Sequence, residues 1–309
     1  VAAQIETHYK NNFTAAIRLE AQQLQSKLSS VWQFEPITGE KQYFDTYGSV
    51  DLTERTSRNQ ANTYQEASRD RRMIATQYFE YSELFDKRDN FKLMKAMEPD
   101  SQFMKMVLAS VKRKIDSTIL TAFTATAYSG KAGGTSNTFA AANLWTQTEK
   151  AAVDATYNEN SSLVADDIRK AREILDTADV DLDSQPVYLI CHPTQYYHLM
   201  ESTTFTSQDF VSYRPSETGV IPVVMGMQVI KTSLVPAQTF TTAAGHYAYV
   251  VVPSGGVWGW NRDVEVSIDT IPERGNAVQL AVYADMAATR LFEDQIIAIE
   301  CEDVRVDNT

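Results

Sequence analysis

The clearest patterning of apolar and polar positions lies near the end of the chain. Val264, Val266 and Ile268 alternate with Glu265, Ser267 and Asp269; Pro272 to Asn276 supply a turn; Val278, Leu280, Val282, Ala284 and Met286 then alternate again. Successive side chains of a strand point to opposite faces, so a period of two predicts an antiparallel pair with one apolar face. The run IIAIE from Ile296 reads as a third strand of the same meander. A longer period governs the middle of the chain, where Phe103, Val107, Leu108, Val111, Ile115, Ile119, Ala122 and Phe123 recur every three or four positions. That spacing predicts one face of a helix of about six turns. Lys105, Lys112, Arg113, Lys114 and Asp116 fill the rest of its circumference, and Glu98 to Ser101 supply its start signal. The final sheet needs a cover over its apolar face, and this helix is the expected cover.

Ahead of the helix the periods are less regular. Ile5, Tyr9, Phe13, Ala16, Ile17, Leu24 and Leu28 predict a Gln-rich amphipathic helix, an arm in need of a partner surface. Between Trp32 and Phe91 scattered aromatics stand among many polar residues, too few to form a core. Tyr43, Phe44, Tyr47, Val50 and Leu52 on one side, and Met73, Ile74, Tyr78, Phe79 and Tyr81 on the other, read as the two strands of a long projecting hairpin with its tip near Arg55 to Arg69. After the long helix, TATAYSGKAGGTSNTFAAAN is read as a flexible boundary. The second half then predicts an α/β body: a helix in IRKAREILDTA, a strand in VYLIC, a helix from about Pro193, and strands at MQVIK and YAYVVV.

Composition adds one asymmetry. The chain has 309 residues and a formal net charge of -12, yet residues 1–160 carry 19 basic and 19 acidic side chains, whereas residues 161–309 carry 9 and 21. This balance argues against a reader of nucleic-acid sequence, and a polyanion would prefer the first half. The longest apolar runs, such as VIPVVMGM, are far short of the ~18 residues a membrane helix needs, so a soluble protein without membrane association is expected. The N-terminus lacks the pattern of a secretory signal, and Val1 is compatible with Met removal or with cleavage of a precursor. Cys191 and Cys301, each within an apolar run, are expected to be buried reduced thiols, in keeping with synthesis in a cytoplasm.

Motifs of catalysis do not emerge. His8, His192, His198 and His246 form no metal-binding spacing, and no catalytic, cofactor-binding or metal residue is assigned. SGKAGGT follows a helix and not a strand, so it is no phosphate cradle. Asp179, Asp181 and Asp183 imitate the start of a calcium loop, but Ser184 and Ile190 occupy the positions that need Gly and Glu, which leaves a turn. Trp258 and Trp260 could offer a stacking platform, although in a strand they more often pack on one face of a sheet. The densest basic cluster is Arg69, Arg71 and Arg72 with Arg55 and Arg58 across the hairpin. On a chain whose other half is acidic, these five are candidate contacts between one copy and the next.

Read in order, RRMIATQYFEYSELFDKRD, the run MEPDSQFMKMVLASVKRKIDSTILTAF, the stretch ADDIRKAREILDTADVDLDSQPVYLICHPTQYYHLM, then TSQDF, VMGMQVIKTSLVP and the closing AYVVV to IIAIE resemble tailed-bacteriophage major capsid proteins with the Hong Kong 97 coat-protein fold. The resemblance implies an α+β chain with an N-terminal arm at 1–34, an extended loop and flanking strands at 35–90, a peripheral domain with a spine helix at 91–145, an axial domain at 146–255 and a closing peripheral sheet at 256–309. It also implies a non-enzymatic virion protein, assembled in the host bacterial cytoplasm. Pentamers and hexamers would form an icosahedral or prolate shell around double-stranded DNA, with portal, scaffold and decoration proteins as partners and no cofactor. Lys41 is a candidate loop lysine for the covalent crosslink of some relatives, but no reaction partner matches, so no crosslink is assigned. The rival readings are an encapsulin-like compartment, a cytoplasmic α/β enzyme and a monomeric binding module using the Trp258/Trp260 surface.

Overall fold

The computed structural model describes residues 22–62, 64–85, 102–153, 162–201, 221, 223–240, 244–274 and 276–303. Residues 5–17 of the expected arm helix, the helix start at Glu98 to Ser101, the TSQDF segment and His8 lie outside them.

In chain order the strands are β1 (Gln33–Phe34), β2 (Lys41–Tyr47), β3 (Arg69–Ala75) and β4 (Gln77–Phe85), followed by the long helix α1 (Gln102–Thr124). Next come β5 (Ala127–Ser129), β6 (Thr135–Asn137), β7 (Leu144–Trp145), α2 (Gln147–Val153), α3 (Ala165–Thr177), β8 (Val187–Cys191) and α4 (Pro193–Glu201). The chain continues through β9 (Val223–Val224), β10 (Met227–Lys231), β11 (Ala237–Thr239), β12 (Ala244–Val251), β13 (Gly256–Ile271), β14 (Ala277–Arg290) and β15 (Ile296–Glu302). They form three sheets: β1-β13-β14-β4, the seven-stranded β7-β15-β12-β8-β10-β9 with β11 on β12, and β2-β3-β5-β6.

The alternating pair is present as β13 and β14, joined through Pro272–Arg274. Its third strand differs from expectation. IIAIE does not close the meander; β15 lies between β12 and β7 in the seven-stranded sheet, and the place beside β14 is taken by β4 from the first half of the chain. The physical reason is burial on both faces. Leu189, Val250, Ile297 and Ile299 point into a core under α3 and α4, while Ile190, Tyr249, Val251, Ile296 and Ala298 point into a second core under α1. Strands covered twice read as continuous apolar runs, as VYLIC, YAYVVV and IIAIEC do.

The long helix therefore covers two sheets at once. Ile115, Ile119, Leu120 and Phe123 share one core with Trp258, Ala284 and Met286 of the four-stranded sheet and with Tyr249 and Val251 of the seven-stranded one. Each such side chain stabilises the fold by roughly 1.5–3 kcal/mol when fully buried. The helix is turned slightly from the expected register, so Leu108 faces outward and Asp116 is wholly buried.

Asp116 explains residues 22–32, which are not the end of a helix but an irregular segment packed on α1. Its carboxylate accepts from Gln23 Nε2, Ser26 Oγ, Lys27 N and Leu28 N, the last two at 3.0 and 3.1 Å. Leu28, Val31 and Trp32 then enter the core. The chain next crosses β13 so closely that a Cβ on Gly259 would stand 1.8 Å from the Glu35 carbonyl oxygen.

The far end of α1 is closed by Arg290. This wholly buried guanidinium donates to the carbonyls of Ala122, Phe123 and Ala125 and pairs with Glu293 at 3.0 Å. A cation here satisfies carbonyls that a helix end leaves open and complements the negative end of the helix dipole. Burial pulls the Arg290 pKa down, and Glu293 opposes that shift.

Candidate assembly surface

The projecting hairpin begins with β2 and β3, paired from Lys41↔Ala75 to Tyr47↔Arg69 and extended by Gly48 N donating to Ser68 O at 2.9 Å. Contrary to the expectation from sequence, Tyr78, Phe79 and Tyr81 do not belong to it; a single residue, Thr76, separates β3 from β4, and β4 pairs with β14 in another sheet. The stretch after α1 is likewise not a loose boundary. β5 and β6 form a tight turn that adds to the hairpin through Arg72↔Ser129 and Met73↔Tyr128. Gly133, at φ +68°, lets that turn sit on Met73, whose Sδ would be 2.3 Å from an added Cβ.

Residues 48–62 and 64–68 carry no regular secondary structure and are exposed, apart from half-buried Ala67 just before β3. Leu52 is fully exposed, Tyr64 is 92% exposed, and Val50 and Tyr47 are also largely in solvent. Apolar side chains grouped at the end of a projecting ribbon cost little in the subunit and gain free energy only when a second surface covers them.

The five arginines do not form a single cluster. Arg55 donates to the Gln60 carbonyl at 2.6 Å within the loop, and Arg58 is exposed nearby. Arg69 lies over the Tyr47 ring at 5.6 Å. Arg71 makes a two-pronged pair with Asp45 across the strands and lies 5.7 Å over Tyr43. This hydrogen-bonded pair holds the Asp45 carboxyl below its ordinary pKa and raises that of Arg71. Arg72 is different: it is buried, and its guanidinium stands 3.2 Å from Glu293, the residue that also holds Arg290, without the alignment of a hydrogen bond. Arg72 thus ties the hairpin root to the body, and Arg55, Arg58, Arg69 and Arg71 remain on the surface. Lys41 opens β2 and is exposed.

A groove of about 540 Å³ runs between α1 and the β4/β14 side of the four-stranded sheet, lined by Phe79, Tyr81, Val107, Val111, Lys114 and Met286. Trp258 and Trp260 pack edge-on to each other and to Phe34, and Trp258 Nε1 donates to the Ser29 carbonyl. They hold the arm to the sheet, as strand tryptophans commonly do. Asp181 accepts from Ser184 and Asp183 in a turn, and the Ser184 hydrogen bonds lower its pKa. Cys191 and Cys301 are free and buried, and burial pushes both thiols up to about 12.

One convergence was hidden by sequence separation. His192, His246 and Asp303 bring ligand-capable atoms within 4.8 Å of one another. The two imidazoles, however, are stacked with centroids 3.9 Å apart and planes 1° from parallel. Metals bind imidazole nitrogen in the ring plane at about 2.0–2.1 Å. One ion cannot lie in two stacked planes, so the arrangement is not that of a metal centre. No helix among the described residues is long and apolar enough to cross a membrane.

A spine helix between two sheets, a hairpin rooted beside it and an α/β body form an α+β coat-protein fold of the Hong Kong 97 type. The phage capsid protein family model matches residues 5–303, and the chain belongs to that family. It is similar in structure to the capsid of Ralstonia phage GP4, with 12% identity, 100% of this chain and 99% of that chain covered and a TM-score of 0.68. It is similar also to the mature capsid of bacteriophage PhiM1, at 12% identity, 96% and 92% coverage and a TM-score of 0.67. The encapsulin of a holo-SrpI complex from Synechococcus elongatus PCC 7942 matches less well, at 11% identity, 91% and 89% coverage and a TM-score of 0.54. No curated protein matches the chain in sequence. The chain is a major capsid protein, a structural component of the virion that forms an oligomeric shell.

Proposed function

We propose that the shell is icosahedral or prolate, built from pentamers and hexamers, and closed around double-stranded DNA. The observation that carries this reading is the hairpin. Its fully exposed Leu52, with Tyr64 and Val50, leaves apolar surface that only another copy would cover. Residues 1–34 would act as an arm, 35–90 as the extended loop with its strands, 91–145 and 256–309 as the peripheral domain, and 146–255 as the axial domain at capsomer centres. Arg55, Arg58, Arg69 and Arg71 would meet acidic groups of the neighbouring subunit, whereas Arg72 serves its own chain. Portal, scaffold and decoration proteins complete the set of partners, and assembly takes place in the host cytoplasm. The role is architectural, without a catalytic step.

An acidic second half of the chain suits this task, because a shell that bound its DNA tightly would hinder packaging and release. Imaging of particles formed by the expressed chain, with the nucleic-acid content of native particles, tests the reading. Closed shells with DNA in the native ones are expected. A chain that stays at 34.7 kDa with scaffold and portal present contradicts it, and shells that hold a protein cargo and no DNA would favour the encapsulin reading.

A further inference from the structure

We propose that His192, His246 and Asp303 form an acid-released clasp that ties the start of α4 to the ends of β12 and β15. The three residues come from separate segments, 54 or more positions apart along the chain, and none serves the assembly surface described above.

His192 immediately precedes α4, and its carbonyl accepts the first helical hydrogen bond from Tyr196 N at 3.1 Å. The helix start places partial positive charge beside it. The Thr194 N–H is directed at His192 Nδ1 at 3.4 Å, with Thr194 Oγ1 3.1 Å from the same nitrogen. A nitrogen that accepts an N–H carries a lone pair, so this geometry fits the neutral ring. His246 lies flat against that ring, and Asp303 accepts from His246 Nδ1 at 3.0 Å. Gln195 braces the pair: its Oε1 accepts from His192 N at 3.3 Å and its Nε2 donates to the His246 carbonyl at 2.7 Å.

Among the described residues, His192 feels the charges of His246 on β12 and Asp303 after β15. Lys231 of β10 keeps its ammonium over the rings of Tyr196 and Tyr197, and the Cys191 thiol of β8 stays neutral. A proton on His192 would deprive the Thr194 N–H of its acceptor, add charge at the positive end of α4 and face the stacked ring. Asp303 alone would favour it, and Asp303 is already engaged by His246. Burial, followed by His246, accordingly lowers the His192 pKa, against the smaller opposing pull of Asp303. The unfolded chain takes up this proton near its ordinary value of about 6.5, while the folded clasp resists it. The stabilisation is therefore complete above that value and declines as pH falls below it.

Hydrogen–deuterium exchange of the assembled protein, corrected for intrinsic pH dependence, tests the clasp at about pH 7.5 and about pH 5.5. Exchange in 187–201 and 244–251 should rise in acid, approaching at most about tenfold at pH 5.5 because that pH lies only about one unit below the unfolded value, while 277–290 stays level. His192→Phe keeps a stacked ring and His192→Gln keeps a polar group, and both should abolish the rise. No rise in the wild type, a rise spread equally over 277–290, or a rise retained in either folded variant would overturn the proposal.

Discussion

Arginine is used in two ways on either side of the hairpin root. At the end of α1, Arg290 is wholly buried, fills three backbone carbonyls and neutralises Glu293, which also receives Arg72. On the hairpin itself, Arg71 and Arg69 lie on the surface against Asp45, Tyr43 and Tyr47. The first set joins three pieces of one subunit. The second leaves cations and apolar side chains available to another. Buried polar groups must be paired where they stand, whereas an exposed arginine can exchange water for a partner at small cost. The contrast separates what folds the subunit from what builds the shell.

Substitutions should reveal that division by size. Arg290→Ala strips three helix-end carbonyls of their donor and leaves Glu293 with Arg72 alone, so a loss of about 3–5 kcal/mol is expected in denaturant unfolding of the subunit. Asp116→Ala leaves two backbone N–H groups of the arm without acceptors, and should cost about 2–4 kcal/mol, with Asp116→Asn retaining part of it. Leu52→Ser should stay within about ±0.5 kcal/mol of the wild-type subunit, because nothing in the subunit covers Leu52. Arg71→Ala should leave the unfolding midpoint unchanged, and its pair with Asp45 should weaken in salt or as pH falls through the lowered carboxyl pKa. A large loss from either of the last two would dissolve the comparison. The mildest effect is chemical: Cys191 and Cys301, with thiols raised to about 12, should resist alkylation at neutral pH until the fold is opened.

The periods of sequence made α1, β13 and β14 legible, since each buries one face and exposes the other. They did not show which sheet receives β15. The meander reading treated IIAIE as one-sided, although its unbroken apolar run belongs to a strand covered twice. The break between β3 and β4 was also hidden, because Thr76 alone separates strands of different sheets and both sides are rich in aromatic or apolar residues. At the site, the exposed hairpin was legible from its polarity, but the five arginines were not separable. Arg72 differs from Arg71 only by pointing to the other face of β3, towards Glu293 more than 200 residues away. Asp116 looked like one more charge among Lys112, Arg113 and Lys114, and only its partners 88 to 93 residues distant reveal its place.

Sedimentation of wild-type protein and of a Leu52→Asp/Tyr64→Asp variant, each with its unfolding curve, tests most directly whether the hairpin is spent on the neighbour. The wild type should sediment as closed shells, and the variant as free subunits with an unchanged unfolding midpoint. Shells formed equally well by the variant, or a variant whose subunit itself unfolds, would contradict the account.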